Sequence, residues 1–129
     1  MLTMIDWLLL GTVLYLLTAY LPSLFLISGI GIGGYFGSRD QEPEQGPMHG
    51  RANRAHRNFA ENYPVFMGLG ILAIVAGAEV SPMALMGAMI FVIARIVYLP
   101  LYLYAVPVAR SAAFTVGWIG MLMMGFALL

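Results

Sequence analysis

Apolar positions in this chain form long, nearly unbroken runs, separated by short polar or Pro/Gly-rich segments. The first run covers 5–36, with Asp6 as its only charge. The strongly polar segment Ser38-Arg39-Asp40-Gln41-Glu42-Pro43-Glu44-Gln45-Gly46-Pro47-Met48-His49-Gly50 follows, and its charge, proline and glycine predict an extramembrane loop over 37–50. A second element opens at 51 with the polar stretch RANRAHRNFAEN, then turns apolar through Tyr63 and Pro64 to 78. Glu79-Val80-Ser81-Pro82 gives a tight return into a third run over 82–104, and Ala105-Val106-Pro107-Val108-Ala109 breaks the pattern before a fourth over 110–129. About 20 apolar residues suffice for a helix to cross a bilayer. The pattern therefore predicts one all-α domain over 1–129, an integral membrane four-helix bundle of up-down-up-down topology.

The first run is longer than a crossing requires. At about 1.5 Å per residue it reaches roughly 48 Å against a hydrocarbon thickness of about 30 Å, so the helix should tilt, kink or project. Pro22 is the expected kink. The run lacks the basic leading segment and compact cleavage pattern of a signal peptide and is expected to be retained. Gly29, Gly33 and Gly37 lie four residues apart on one face, a strip that permits close approach of another helix from the same chain or a neighbouring one.

Composition supports the membrane reading: 61% of the 129 residues are hydrophobic and 9% charged, with a mean hydropathy of +0.88. A soluble domain this small has too little interior for that much apolar surface. The formal net charge is zero and no basic tract is present, which argues against nucleic acid as a partner. With no cysteine, the chain has neither disulfides nor a thiol nucleophile of its own. His49 and His56 are the only histidines and lack H-x-x-x-H spacing, so no metal site is expected.

Charge is unevenly placed. All six basic residues are arginine, and Arg39, Arg51, Arg54, Arg57 and Arg110 fall in or beside two connections on one side, whereas the other side offers Asp6 and Glu79. The positive-inside rule places those two connections in the cytoplasm and both termini opposite. The compact loops fit a bacterial inner membrane.

On the second helix, Arg54, Arg57, Asn58 and Glu61 stand at i, i+3, i+4 and i+7 and share one face, which Arg51 extends outward. A charge at membrane depth costs on the order of 2.5–3.5 kcal/mol on insertion scales, so such residues turn toward partners or a wet cavity. Arg57 and Glu61 at i, i+4 could simply pair with each other, with the arginines reaching toward anionic lipid. The third helix favours a shared layer instead. Arg95, Tyr98 and Tyr102 also share a face at the same end, and Arg110 and Ser111 open the fourth helix at that level. Guanidinium groups, an amide, a carboxylate and phenol hydroxyls suit a small zwitterion with more than one carboxylate, and glutathione has that inventory.

The run Arg54-Ala55-His56-Arg57-Asn58-Phe59-Ala60-Glu61-Asn62-Tyr63-Pro64, with Arg95-Ile96-Val97-Tyr98, Tyr102 and Pro107-Val108-Ala109-Arg110-Ser111, resembles the helix signatures of the MAPEG family, the membrane-associated proteins in eicosanoid and glutathione metabolism. The resemblance covers essentially the whole chain. It implies a homotrimer with glutathione bound between subunits on the cytosolic side. Arg54, Arg57, Asn58, Glu61, Arg95, Tyr98 and Tyr102 are then expected to bind the tripeptide, with Arg39, matched to the family's first-helix arginine, as a further contact. Arg110 is the expected catalytic residue beside the sulfur, assisted by Ser111. Where prostaglandin-synthase-like members carry a tyrosine three residues beyond the serine, this chain has Phe114.

The implied activity is a glutathione transferase or glutathione-dependent peroxidase of detoxification, taking its lipophilic second substrate from the membrane lipid. The alternative is a non-catalytic, lipid-binding scaffold of the same family. The chemistry is intelligible in itself: a thiol with an ordinary pKa of about 8.5 is mostly protonated at neutral pH, and a fixed positive charge beside it favours the reactive thiolate.

Overall fold

The computed structural model describes residues 1–37 and 46–129, and within the first helix the side chains of 29, 30, 32 and 34–36 lie outside that description. Four helices form: α1 (Met4–Phe36), α2 (Pro47–Val75), α3 (Pro82–Leu103) and α4 (Pro107–Phe126), each with a segment long and apolar enough to span a membrane.

The helix starts have a common chemistry. α2, α3 and α4 each carry proline in the first turn, where its missing N–H costs no helical hydrogen bond and its fixed φ suits the helix. This is why α2 starts at Pro47, with the polar run from Arg51 already helical, and why Pro107 begins α4 rather than delaying it to Arg110. α1 is capped by Thr3, whose hydroxyl accepts from the Asp6 N–H while the Asp6 carboxylate accepts from the Thr3 N–H. α1 breaks at Gly31, with φ 77° and ψ 167°, and Pro22 lies within the helix before it.

Contact order fixes the packing. Leu8 lies against Gly70, Gly11 against Phe66, Thr12 against Tyr63 and Thr18 against His56, so ascending positions on α1 meet descending positions on α2. α3 and α4 make the most extensive helix pair. Gly87 and Gly120 face each other there: a Cβ on Gly87 would come within 2.5 Å of the Gly120 carbonyl oxygen, and one on Gly120 within 2.6 Å of the Gly87 carbonyl. Helices in a bilayer gain little from hydrophobic transfer and associate through such close packing. Among the described residues, no neighbour lies within 4 Å of a Cβ built on Gly33, so none of them packs closely on that position of the α1 glycine strip.

Met4, Leu8, Phe66, Ala73, Ala84, Ala88, Phe91, Val92, Met121 and Met124 form the buried core, with Phe66 stacked on Phe91 at 4.4 Å between ring centroids. This core fills the bundle half away from the arginines. Leu9, Val13, Leu17, Leu24, Ile71 and Leu122 are among the large apolar side chains facing outward, as lipid contact requires.

Candidate functional site

At the arginine-rich end, α2, α3 and α4 converge on a cavity of about 270 Å³ lined by Asn58, Tyr98, Tyr102, Arg110, Ser111, Phe114 and Thr115. Helical periodicity explains the α4 contribution: 110, 111, 114 and 115 form adjacent pairs one turn apart on the face toward α3. The Tyr98 and Tyr102 rings lie 5.5 Å apart, and Tyr98 also meets Phe114 at 6.4 Å.

Arg110 sits with its guanidinium carbon 4.9 Å from the centroid of the Tyr102 ring. It has no carboxylate partner among the described residues, which leaves its charge available to an anion at the cavity. Tyr102 is tied to α2 from the other side, since Arg54 Nε donates to its hydroxyl at 3.2 Å. Ser111 is exposed, and its carbonyl accepts from Thr115 Oγ1 at 2.9 Å.

The other expected site residues fall in three different settings. Arg95 does not line the cavity. It is 3% exposed, with Nη1 donating to Asn58 Oδ1 at 2.7 Å and its guanidinium carbon 4.1 Å from the Tyr98 ring centroid and 4.8 Å from that of Phe59. Arg57 and Glu61 are exposed and make no ion pair with each other among the described residues. Glu61 instead borders a second, largely apolar crevice of about 380 Å³ between α2 and α4, where Asn62, Val65, Leu69, Trp118 and Met121 also contribute. Arg39 lies outside the described residues, as does most of the loop expected over 37–50.

Arg51 closes a helix end: its Nη1 donates at 3.1 Å to the carbonyl of Leu103, the last residue of α3, placing a cation on an otherwise open terminus. His56 is turned inward, with Nδ1 at 3.2 Å from Thr18 Oγ1 and its ring 5.2 Å from Tyr15. Among the described residues, no three His, Cys, Asp or Glu side chains gather to hold a metal. Thr115 is a cavity residue that the motif reading missed. Its position four residues after Ser111, on the same helix face, was the available signal.

Fold and site together define a multi-pass helical membrane protein with a cationic, tyrosine-walled cavity at one end of its bundle. The family model of the MAPEG family matches residues 7–129, and the chain belongs to that family. It is 42% identical to microsomal glutathione S-transferase 1 of Mus musculus over 80 residues, covering 61% of this chain and 51% of that protein. The chain thus spans about half the length of the curated relative it matches.

Proposed function

We propose that this protein is a membrane glutathione transferase that holds glutathione in the α2–α3–α4 cavity and activates its sulfur with Arg110. The observation that carries the reading is the convergence of Asn58, Tyr98, Tyr102, Arg110 and Ser111 on one cavity, with the Arg110 charge held over Tyr102 and free of any carboxylate among the described residues. Similarity to a microsomal glutathione S-transferase supports the choice of thiol.

Arg110 stabilises charge and need not exchange a proton. When the S–H proton leaves to water, the guanidinium lowers the energy of the thiolate that remains. The sulfur lone pair then forms a bond to the electrophilic carbon, and the leaving group departs with its electron pair. With a hydroperoxide as second substrate, the thiolate attacks the terminal peroxide oxygen instead: the O–O bond breaks, the alkoxide leaves and takes a proton to become the alcohol, and the sulfur, oxidised to a sulfenic acid, is reduced by a second glutathione to the disulfide and water. Asn58, Tyr98 and Ser111 offer hydrogen bonds that orient the tripeptide. The apolar α2–α4 crevice, bordered by Glu61 and reaching Leu129, gives a lipophilic substrate a route from the bilayer.

A homotrimer completes the site in this proposal. Arg54, Arg57 and Glu61 are exposed on one chain although they lie in a membrane-spanning helix, where unpartnered charge is costly. A neighbouring subunit covering this face places them around the peptide carboxylates and ammonium of glutathione. The arginine-rich connections lie in the cytoplasm, both termini lie opposite, and the host is a bacterial inner membrane.

The test is glutathione titration of the detergent-purified protein, followed by thiolate absorbance and by conjugation to a generic aromatic electrophile. Saturable binding with thiolate formation and conjugation is expected. No binding at millimolar glutathione would sink the reading, and binding without thiolate would favour the lipid-binding scaffold.

A further inference from the structure

We infer that Arg95 is a positioning residue: it fixes the amide of Asn58 so that Asn58 meets glutathione as a hydrogen-bond donor. This inference rests on the function proposed above and adds a residue that acts from behind the cavity wall.

The chemistry of the two groups sets the direction of the argument. A guanidinium carries only donors, so the part of Asn58 that faces Arg95 must be its carbonyl oxygen, and the 2.7 Å bond from Arg95 Nη1 to Oδ1 has that sense. The Asn58 NH2 group is then left for the cavity that Asn58 lines with Tyr98, Tyr102, Arg110 and Ser111. Without Arg95, the amide could rotate and present its oxygen to an anionic ligand, turning attraction into repulsion.

Arg95 cannot easily leave this arrangement. It is 3% exposed, has no carboxylate partner among the described residues, and is compensated by the faces of Tyr98 and Phe59 together with the Asn58 oxygen. The backbone carbonyl of Asn58 also accepts from Asn62 Nδ2 at 2.9 Å. A buried cation that bonds the amide oxygen further polarises the amide and strengthens the N–H groups aimed at the ligand.

A double-mutant cycle on the full-length protein in detergent tests this, with glutathione affinity and bound-thiolate absorbance as readouts. Arg95→Met and Asn58→Ala are each expected to weaken glutathione binding about tenfold, the order of one lost hydrogen bond to a charged group, and the double variant no more than either single. Thiolate absorbance at saturation should persist in Arg95→Met, because the sulfur is served by Arg110. Arg95→Lys, which keeps a charged donor, should recover part of the affinity. Additive losses of about a hundredfold in the double variant would overturn the inference in favour of direct ligand contact, as would loss of thiolate at saturation. If Arg95→Met fails to fold, Arg95→Lys in the wild-type and Asn58→Ala backgrounds completes the same cycle. Absence of glutathione binding by the wild type is read first and removes the proposed function itself, together with this inference.

Discussion

The Tyr102 ring receives the Arg110 guanidinium at 4.9 Å while its hydroxyl accepts from Arg54 at 3.2 Å, so one tyrosine on α3 links a cation from α4 to a cation from α2. The two contacts use different parts of the side chain. They can therefore be separated by substitution.

Tyr102→Phe removes the hydroxyl that Arg54 bonds and keeps the ring beneath Arg110. Glutathione affinity should fall severalfold, the order of one hydrogen bond of about 1 kcal/mol, with little change in the rate at saturation. Tyr102→Ala also removes the ring, and the conjugation rate should then fall together with affinity, because the Arg110 side chain loses a contact worth about 0.5–2 kcal/mol. Steady-state kinetics with varied glutathione separates the two outcomes. Equal losses in both variants would show that the ring is not what positions Arg110.

Arg110→Ala addresses the chemistry directly. If Arg110 serves the sulfur, glutathione should bind within severalfold of wild type while conjugation slows about a hundredfold or more, the scale of losing one preorganised charge-stabilising group. Stopped-flow measurement of thiolate absorbance gives the expected signature, bound glutathione that stays protonated. Parallel loss of affinity and rate would make Arg110 an anchor for a carboxylate.

Much of this arrangement was legible in the residue pattern. Four apolar runs and the gathering of arginines at one end follow from segment length and charge alone, and the helices match them closely. Arg54, Arg57, Asn58 and Glu61 were harder to resolve, because residues at i, i+3, i+4 and i+7 span about 100° of a helix and such an arc can face two neighbours at once. The stripe Ala52, Ala55, Phe59, Asn62 and Phe66 fixes the rotation of α2. It turns Asn58 toward the cavity and leaves Arg57, about 100° further round the helix, exposed. Sequence spacing placed Arg95 on the face of Tyr98 and Tyr102 and carries no information about depth, so its burial behind Asn58 emerges only from packing. Proline chemistry points to Pro22 as a kink in α1 and carries no sign of the break at Gly31, whose positive φ a side chain would resist.

The α3–α4 contact makes a prediction about stability. Gly87→Ala sets a Cβ 2.5 Å from the Gly120 backbone oxygen and 2.9 Å from Met124 Cγ, and a backbone atom cannot escape by changing rotamer. The overpacking cost of about 1–3 kcal/mol should exceed the helix-propensity gain of at most about 1 kcal/mol, lowering the thermal midpoint in detergent. Gly117→Ala is the control, since its Cβ would meet Ala94 Cβ at an ordinary 3.6 Å, and it should be neutral or stabilising. Destabilisation of the same size in both variants would contradict the close approach at Gly87.

The ends of α2 and α3 supply the last prediction. Each closes in the same hydrogen-bond pattern: Ala78 N–H to Ala73 O at 2.7 Å with Gly77 N–H to Ile74 O at 3.2 Å, and Val106 N–H to Leu101 O at 2.9 Å with Ala105 N–H to Tyr102 O at 3.1 Å. The left-handed residue is Gly77, φ 73°, in the first case and Ala105, φ 55°, in the second. An L-residue in that region costs roughly 1–2 kcal/mol, whereas glycine adopts it freely but loses more freedom on folding, about 0.5–1 kcal/mol. Ala105→Gly should therefore stabilise the protein by up to about 1 kcal/mol, and Gly77→Ala should destabilise it by a similar amount. Thermal unfolding of the two variants in one detergent checks both signs at once. A lowered midpoint in Ala105→Gly would mean that the methyl group makes contacts across the assembled protein that outweigh the backbone strain, and that the turn leading into Arg110 is held by packing rather than by its own conformation.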